Sequence, residues 1–186
     1  AELARPASTD EARLRRLGVR LNMLFNASCY GPAAFSQELA DRVTAVVEHV
    51  GPAVVTTMSP MIARLVKSRW PQVAVRASVN MRLGTVQAME YVADLFDGFT
   101  VQREQNRDPA RLADLRAWCD REGKTMQLLT NSGCLAWCAV QTFHDNLVSH
   151  EAEVDAESCV GATIPGACWE YYGRRDHWVQ FLRNTW

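Results

Sequence analysis

Short runs of β-branched and apolar residues alternate along the chain with amphipathic stretches of helical period. Five such runs predict strands, at residues 18–25, 53–57, 73–78, 98–103 and 125–129. Helices are predicted between these strands, at about 36–49, 61–67, 85–95 and from 109 onward. Each begins at a residue or pair typical of a helix start: Ser36, Ser59-Pro60, Thr85 and Asp108-Pro109, in that order. Strands separated by single helices require parallel crossovers. The pattern therefore predicts an α/β fold whose parallel sheet is covered by helices.

Five successive strand–helix units favour a parallel (β/α) barrel of the TIM type over a doubly wound sheet. No glycine-rich dinucleotide or phosphate-loop fingerprint follows any predicted strand. A complete barrel takes about 250 residues, whereas this chain has 186. We therefore expect one partial barrel domain over residues 1–186, a fragment lacking units at both ends, with a cysteine-containing C-terminal segment at 131–186.

The composition and net charge limit the kinds of binding partner that we expect. The chain is 48% hydrophobic and 22% charged, and its formal net charge is −1, a balance typical of ordinary globular proteins. Near-neutrality gives no electrostatic reason to expect nucleic acid or an anionic membrane as a partner. The sequence has no apolar run of membrane-spanning length and no secretory signal, so we expect a cytoplasmic protein with reduced cysteines.

Polar residues follow every predicted strand, at the edge where barrels of this type carry their active sites. The end of the fourth strand is the most charged, with Arg103, Glu104, Asn106 and Arg107 within five positions. We predict these four as the catalytic, substrate-positioning residues, because arginine suits a carboxylate or phosphate. A surface loop with a salt bridge is the alternative. The other polar strand ends are Asn26, Cys29, Thr56, Thr57, Ser59, Ser78, Asn80, Thr130, Asn131 and Cys134.

Six cysteines supply the other candidate chemistry. Cys134 and Cys138, four residues apart beside Gly133, can direct two sulfurs to one ion at a strand end. Cys29 is expected on the same face, and Cys168 completes a four-thiolate set suited to an iron–sulfur cluster or to zinc. Cys159 and His144 are substitute ligands, and His150 is a further candidate. The alternative for each cysteine is a small buried hydrophobe, which we expect for Cys119, beside Trp118 on the core face of its helix.

Several runs together resemble a known family. They include residues 131–138, reading Asn-Ser-Gly-Cys-Leu-Ala-Trp-Cys, and 144–146, reading His-Asp-Asn; the others are residues 26–31, 76–80, 97–99 and 102–108. These runs resemble the collagenase-like peptidase family, number 32 among peptidases of unassigned mechanism. The similarity is greatest to its uncharacterised members, whose loop reads Asn-x-Gly-Cys-x-x-x-Cys. The resemblance covers roughly residues 18–186, but the dense cysteine–histidine run of the longer peptidase signature is absent.

This resemblance carries its own expectations. It implies an incomplete-looking barrel and, through the related ubiquinone-biosynthesis members, a four-iron four-sulfur cluster used in oxygen-independent hydroxylation. Cys134 and Cys138 match best, with Cys29 and Cys168 as the remaining ligands and Cys159 competing for the last place. It also implies a hetero-partner of the same family and a small-molecule or modified-biomolecule substrate. A metal-dependent peptidase and a non-catalytic partner subunit with a structural metal site remain the alternatives.

Overall fold

The structure is a computed structural model that describes residues 7–130 and 138–150. Five strands form one parallel sheet in the order in which they occur along the chain. They are β1 (Asn22–Phe25), β2 (Val54–Thr57), β3 (Ala74–Ala77), β4 (Gly98–Thr100) and β5 (Thr125–Gln127). The helices are α1 (Ala7–Arg16), α2 (Gln37–Val50), α3 (Pro60–Arg69), α4 (Val86–Glu90), α5 (Pro109–Arg121) and α6 (Gln141–Ser149), with 3₁₀ turns at Gly31–Phe35, Val79–Met81 and Arg103–Gln105.

The strand order agrees with the wall of a barrel. Each strand pairs with the next one in sequence, whereas the strand order of a doubly wound sheet reverses in the middle of the sheet. An α/β fold with a parallel sheet is therefore confirmed, and the arrangement is compatible with a partial barrel. The five described strands do not themselves close into a barrel, since β1 and β5 lie at the two edges. Among the described helices, none has the length and apolar character needed to cross a bilayer.

The four predicted helix starts are confirmed by their capping hydrogen bonds. Ser36 Oγ accepts from the Leu39 amide at 3.1 Å, and Ser59 Oγ accepts from Ile62 at 3.3 Å. The other two caps are Thr85 Oγ1, which accepts from Ala88 at 3.2 Å, and Asp108 Oδ1, which accepts from Arg111 at 2.9 Å. Each bond satisfies an amide that the first turn of a helix leaves without an intrahelical partner.

The regular elements differ from the predicted ones mainly at their ends. Strand β4 was predicted to reach Arg103, but it ends at Thr100 because the Gln102 amide donates to Leu83 O, outside the sheet. Helix α4 ends at Glu90, and residues 91–95 continue as turns closed by bonds such as Val92 N to Met89 O. Helix α1 was not predicted.

The hydrophobic core lies between one face of the sheet and the covering helices. Strand residues Val55, Val75 and Phe99 are fully buried, and helix residues Ile62 and Trp118 pack in the same cluster. The prediction that Cys119 is a core residue is confirmed, since its side chain is also fully buried. Burial raises the pKa of the Cys119 thiol and keeps it protonated.

An ionic cluster joins the amino ends of β3 and β4. Asp97 accepts from Lys67 Nζ at 2.8 Å and from the Val75 amide at 2.8 Å. Lys124 Nζ lies nearby and donates to Ala93 O and Phe96 O. Burial would raise the pKa of Asp97, but the bonds from Lys67 and Val75 and the charges of both lysines outweigh it, so the pKa is lowered.

Replacing Asp97 with asparagine is expected to destabilise the protein by about 1 kcal/mol at pH 7. A hydrogen bond between charged groups usually contributes more than this, but water screens the pair because both side chains are partly exposed. A depressed folded-state pKa stabilises the protein above the unfolded value of about 4, and this stabilisation is lost as the pH falls below it. Urea denaturation of wild type and Asp97→Asn should thus differ at pH 7, and the difference should shrink steadily as the pH falls below about 4. A difference of the same size at pH 7 and at pH 3 would contradict the ionic account.

Candidate functional site

Helix α6 lies against two loops at the carboxyl edge of the sheet. At its end, Ser149 Oγ accepts a hydrogen bond from the Ser28 amide at 2.8 Å, in the loop after β1. Nearer its beginning, Asp145 forms an ion pair with Arg82 at 3.6 Å, in the segment after β3. Arg82 is the only described residue other than glycine with a positive φ, 54°. The helix therefore brings its own polar residues to the edge where barrel enzymes carry their sites.

Arg103 is a buried charged residue at this same edge. It opens the 3₁₀ turn after β4, and only 8% of its surface is exposed. Its guanidinium lies 3.4 Å from Asn80 Oδ1, which places the ends of β3 and β4 in contact. A buried guanidinium needs polar or charged partners, because desolvation of a lone charge is costly.

The other three predicted catalytic residues occupy the same turn. Asn106 Nδ2 donates to Leu129 O at 2.9 Å and so links this turn to the end of β5. Glu104 is half-buried, and Arg107 is exposed. At this edge of the sheet, Arg103 and Asn106 are thus at least partly buried, whereas Arg107 is exposed to solvent.

Three buried polar atoms at this edge have no hydrogen-bond partner among the described residues. They are Asn26 Oδ1 after β1, Asn106 Oδ1 after β4 and His144 Nε2 on α6. Such atoms normally find a partner in protein or water, because each unsatisfied one costs about 1–3 kcal/mol. Two amide oxygens and one imidazole nitrogen at this edge are therefore buried and unsatisfied, and a ligand or an ordered water would satisfy them.

Tyr30 adds a fixed hydroxyl beside the end of β1. Its OH donates to Phe25 O at 2.9 Å. Burial raises the pKa of Tyr30, and hydrogen bonds involving Thr57 and the backbone of Ala27 offset only part of the increase. The phenol therefore stays protonated and serves as a donor.

Of the predicted metal ligands, two cysteines and two histidines are described. Cys29 is half-buried, and its Sγ accepts from the Gly31 amide at 3.3 Å; His150 lies against the same glycine. Cys138 is half-buried, and its carbonyl accepts from the Gln141 amide just before α6. Cys29 and Cys138 thus lie at opposite ends of a helix about 13 Å long. Cys134, Cys159 and Cys168 lie outside the described residues.

Cys29 and Cys138 are each suited to bind a metal ion through a thiolate sulfur. Backbone N–H to sulfur bonds, such as the one that Cys29 receives, stabilise ligating thiolates and tune iron–sulfur clusters. Cys119 does not fit, because it is a protonated core thiol. Within residues 7–130 and 138–150, no three histidine, cysteine, aspartate or glutamate side chains form a group that could hold a metal. A complete donor set would therefore have to include residues outside those ranges, among which are Cys134, Cys159 and Cys168.

Gly84 keeps the charged turn against the loop before α4. A Cβ added at Gly84 would lie 2.5 Å from Gln102 Oε1 and 3.1 Å from Gln105 Nε2. Gln102 directly precedes Arg103, and its amide already donates to Leu83 O. The absence of a side chain at Gly84 therefore leaves room for the Gln102 side chain beside the turn that carries Arg103.

Replacing Gly84 with alanine is expected to displace the Gln102 side chain and to destabilise the protein by no more than about 1 kcal/mol, the low end of overpacking, because the flexible end of a glutamine can move. Chemical denaturation measures the change, and adding Gln102→Ala should restore most of the stability by removing the nearest atom. Full stability of the single variant would show that the contact between these loops is loose.

Comparison with solved structures agrees with the architecture. The U32 peptidase Mk0906 superposes with a TM-score of 0.65 at 16% sequence identity, over 79% of this chain and 60% of its own. The chain thus spans about three fifths of that protein, and the likeness supports a similar α/β fold. A putative sugar isomerase of the enolase type from Streptomyces coelicolor gives a TM-score of only 0.32, at 18% identity over 70% of this chain and 50% of its own. No family model and no curated protein matches the sequence.

Two contributions to the edge were not predicted from the sequence. The Arg82–Asp145 ion pair and the Ser149–Ser28 hydrogen bond both depend on where α6 docks. Ser28 and Ser149 are 121 positions apart. A capping motif or a periodic pattern would reveal neither contact, because both are tertiary.

Proposed function

We propose that this protein is an α/β-barrel enzyme or enzyme subunit of the family 32 peptidase type. Its reaction site is at the carboxyl edge of the sheet, and it uses an iron–sulfur cluster in redox, hydroxylation-type chemistry. The observation that carries the proposal is the set of unsatisfied buried atoms Asn26 Oδ1, Asn106 Oδ1 and His144 Nε2. Buried polar atoms without a protein partner are uncommon, and a bound polar ligand at this edge would satisfy them.

The substrate would bind through the turn after β4. Arg103, held near Asn80, would receive a carboxylate or phosphate oxygen of the substrate. Asn106, fixed through its Nδ2 on Leu129 O, would direct its carbonyl oxygen at a substrate donor. Glu104 and Arg107, at the rim of this turn, would complete the positioning.

The cluster ligands would come from the cysteine loop. Cys134 and Cys138 are the proposed core pair, completed by Cys168 and by Cys29, with Cys159 or His144 as substitutes. Because Cys29 and Cys138 lie at opposite ends of α6, Cys29→Ala tests whether Cys29 is a ligand, and Cys159→Ala and Cys168→Ala test which of those two takes the last place. When bound, the cluster would supply one-electron transfer to or from the reacting molecule.

The test of a redox role is reduction of the full chain, purified anaerobically, with dithionite. The proposal predicts visible thiolate–iron absorbance that bleaches on reduction and returns on re-oxidation, with a paramagnetic signal in the reduced form. The Cys119→Ala variant is the matched control and should behave as wild type, because that thiol belongs to the core. A metal site whose spectrum does not respond to reductant would be structural and would contradict the proposed chemistry.

A peptidase is the second candidate, and the observation behind it is the likeness in fold to the U32 peptidase Mk0906. Its residues would be Cys134, Cys138, His144 and His150 around a metal, with Glu151 as the base. Incubation with fluorogenic peptides, with and without a chelator, tests this candidate. Hydrolysis that disappears on chelation would support it, and intact peptides would count against it.

A further inference from the structure

The face of the sheet that points away from the helices is unusually polar. Side chains alternate along each strand, so residues two apart share a face. The helix-covered face carries Val55, Val75, Ala77, Phe99 and Val101. The opposite, inner face is mostly polar: it carries Asn22, Thr56, Arg76, Thr100, Thr125 and Gln127, together with Leu24, Val54, Ala74 and Gly98. Barrel interiors are ordinarily filled by bulky branched aliphatic residues, so this inner face is suited to a polar ligand.

A cavity of about 330 Å³ opens on this inner face near the amino ends of the strands. Its polar lining includes Arg20, Gln72, Arg76 and Thr125, and Gly98 forms part of its floor. The register pairs Arg76 with Gly98, and Gly98 with Thr125. The Thr125 side chain lies directly beside Gly98, and both residues line the cavity next to Arg76.

The cavity has excess positive charge. Among the described residues that line it, Asp97 is the one acidic residue, and its carboxylate already accepts from Lys67 Nζ and the Val75 amide. Among the ion pairs of the described residues, none involves Arg20 or Arg76. Arg76 is half-buried, so its charge is only partly screened by water.

We propose that this cavity binds a small oxyanion, a phosphate or carboxylate group, with Arg76 as the main contact and Arg20 as the second. Guanidinium groups present paired donors that match such oxygens, and the side chains of Gln72 and Thr125 supply neutral hydrogen bonds. The site lies at the end of the strands opposite the proposed reaction site, so neither proposal depends on the other.

The test uses the full chain and inorganic phosphate, with chloride at matched ionic strength as the reference. Phosphate should raise the melting temperature and give a saturable calorimetric signal in wild type and in Arg64→Gln, which removes an exposed arginine on α3. Arg76→Gln should weaken phosphate binding about tenfold or more, and Arg20→Gln less. Arg76→Lys should fall between wild type and Arg76→Gln. Succinate in a parallel titration shows whether the cavity prefers a carboxylate or a phosphate.

Two results would overturn the proposal. Phosphate binding equal in wild type and Arg76→Gln would place the anion elsewhere on the protein. The second is an absence of any phosphate or succinate effect on wild type, whatever the stability of Arg76→Gln, which would show that the cavity binds no small oxyanion. Circular dichroism of each variant separates a binding defect from a folding defect.

Discussion

Replacing Trp118 with alanine is expected to destabilise the protein by about 3–5 kcal/mol. The side chain is 2% exposed, and its ring packs edge-on against Phe99 at a centroid distance of 5.5 Å; Phe99 in turn packs near Phe96 at 6.1 Å. Alanine removes the indole from the contact between α5 and β4 and leaves a cavity that rigid neighbours cannot fill. Because a domain has about 5–15 kcal/mol in total, this is a large part of its stability.

Equilibrium urea unfolding measures this effect, and the matched control is Tyr91→Ala. Tyr91 is 88% exposed, so its removal should change stability by no more than about 0.5 kcal/mol. Trp118→Phe keeps an aromatic ring in the core and should cost less than Trp118→Ala. Similar effects of Trp118→Ala and Tyr91→Ala would contradict the described packing.

Replacing Gly98 with alanine is expected to destabilise the protein by about 3 kcal/mol, at the upper end of ordinary overpacking. An added Cβ would overlap Thr125 Oγ1 and lie 3.2 Å from Thr125 O. Gly98 and Thr125 are paired in the register of β4 and β5, so neither can move without loosening that pairing. The edge strand β5 should therefore separate from β4.

The double variant Gly98→Ala/Thr125→Ala tests this cause in the same denaturation experiment. It removes the overlapping hydroxyl but keeps the close contact with the Thr125 carbonyl, so it should recover part of the loss. Wild-type stability of Gly98→Ala alone would show that β4 and β5 are farther apart than described. Failure of the double variant to recover any stability would assign the loss to the backbone contact.

Local sequence signals predicted the helix starts well, because a capping side chain bonds to an amide only a few residues away. Ser36, Ser59, Thr85 and Asp108 each cap the helix that they were predicted to start. Strand ends were predicted less well, because a strand ends where its partner's hydrogen bonds end. At Gln102 the amide bonds to Leu83 instead of to β5, and no pattern within residues 98–103 indicates this.

The candidate site was predicted only in part. Reading the strand ends identified Asn80, Arg103 and Asn106 as residues of one edge, because parallel strands end together. The burial of each side chain could not be predicted from the sequence. Arg103 is buried and Arg107 is exposed, although both are arginines of one loop. The position of α6, and with it the unsatisfied His144 Nε2, depends on tertiary docking that no spacing encodes.

The most direct test of the central claim is the iron and acid-labile sulfide content of the full chain purified without oxygen. The proposal predicts nearly stoichiometric iron and sulfide in wild type and in Cys119→Ala, and loss of both in Cys134→Ala and Cys138→Ala. Protein that holds zinc or no metal, or that keeps its iron in both loop variants, would contradict a cluster held by this loop.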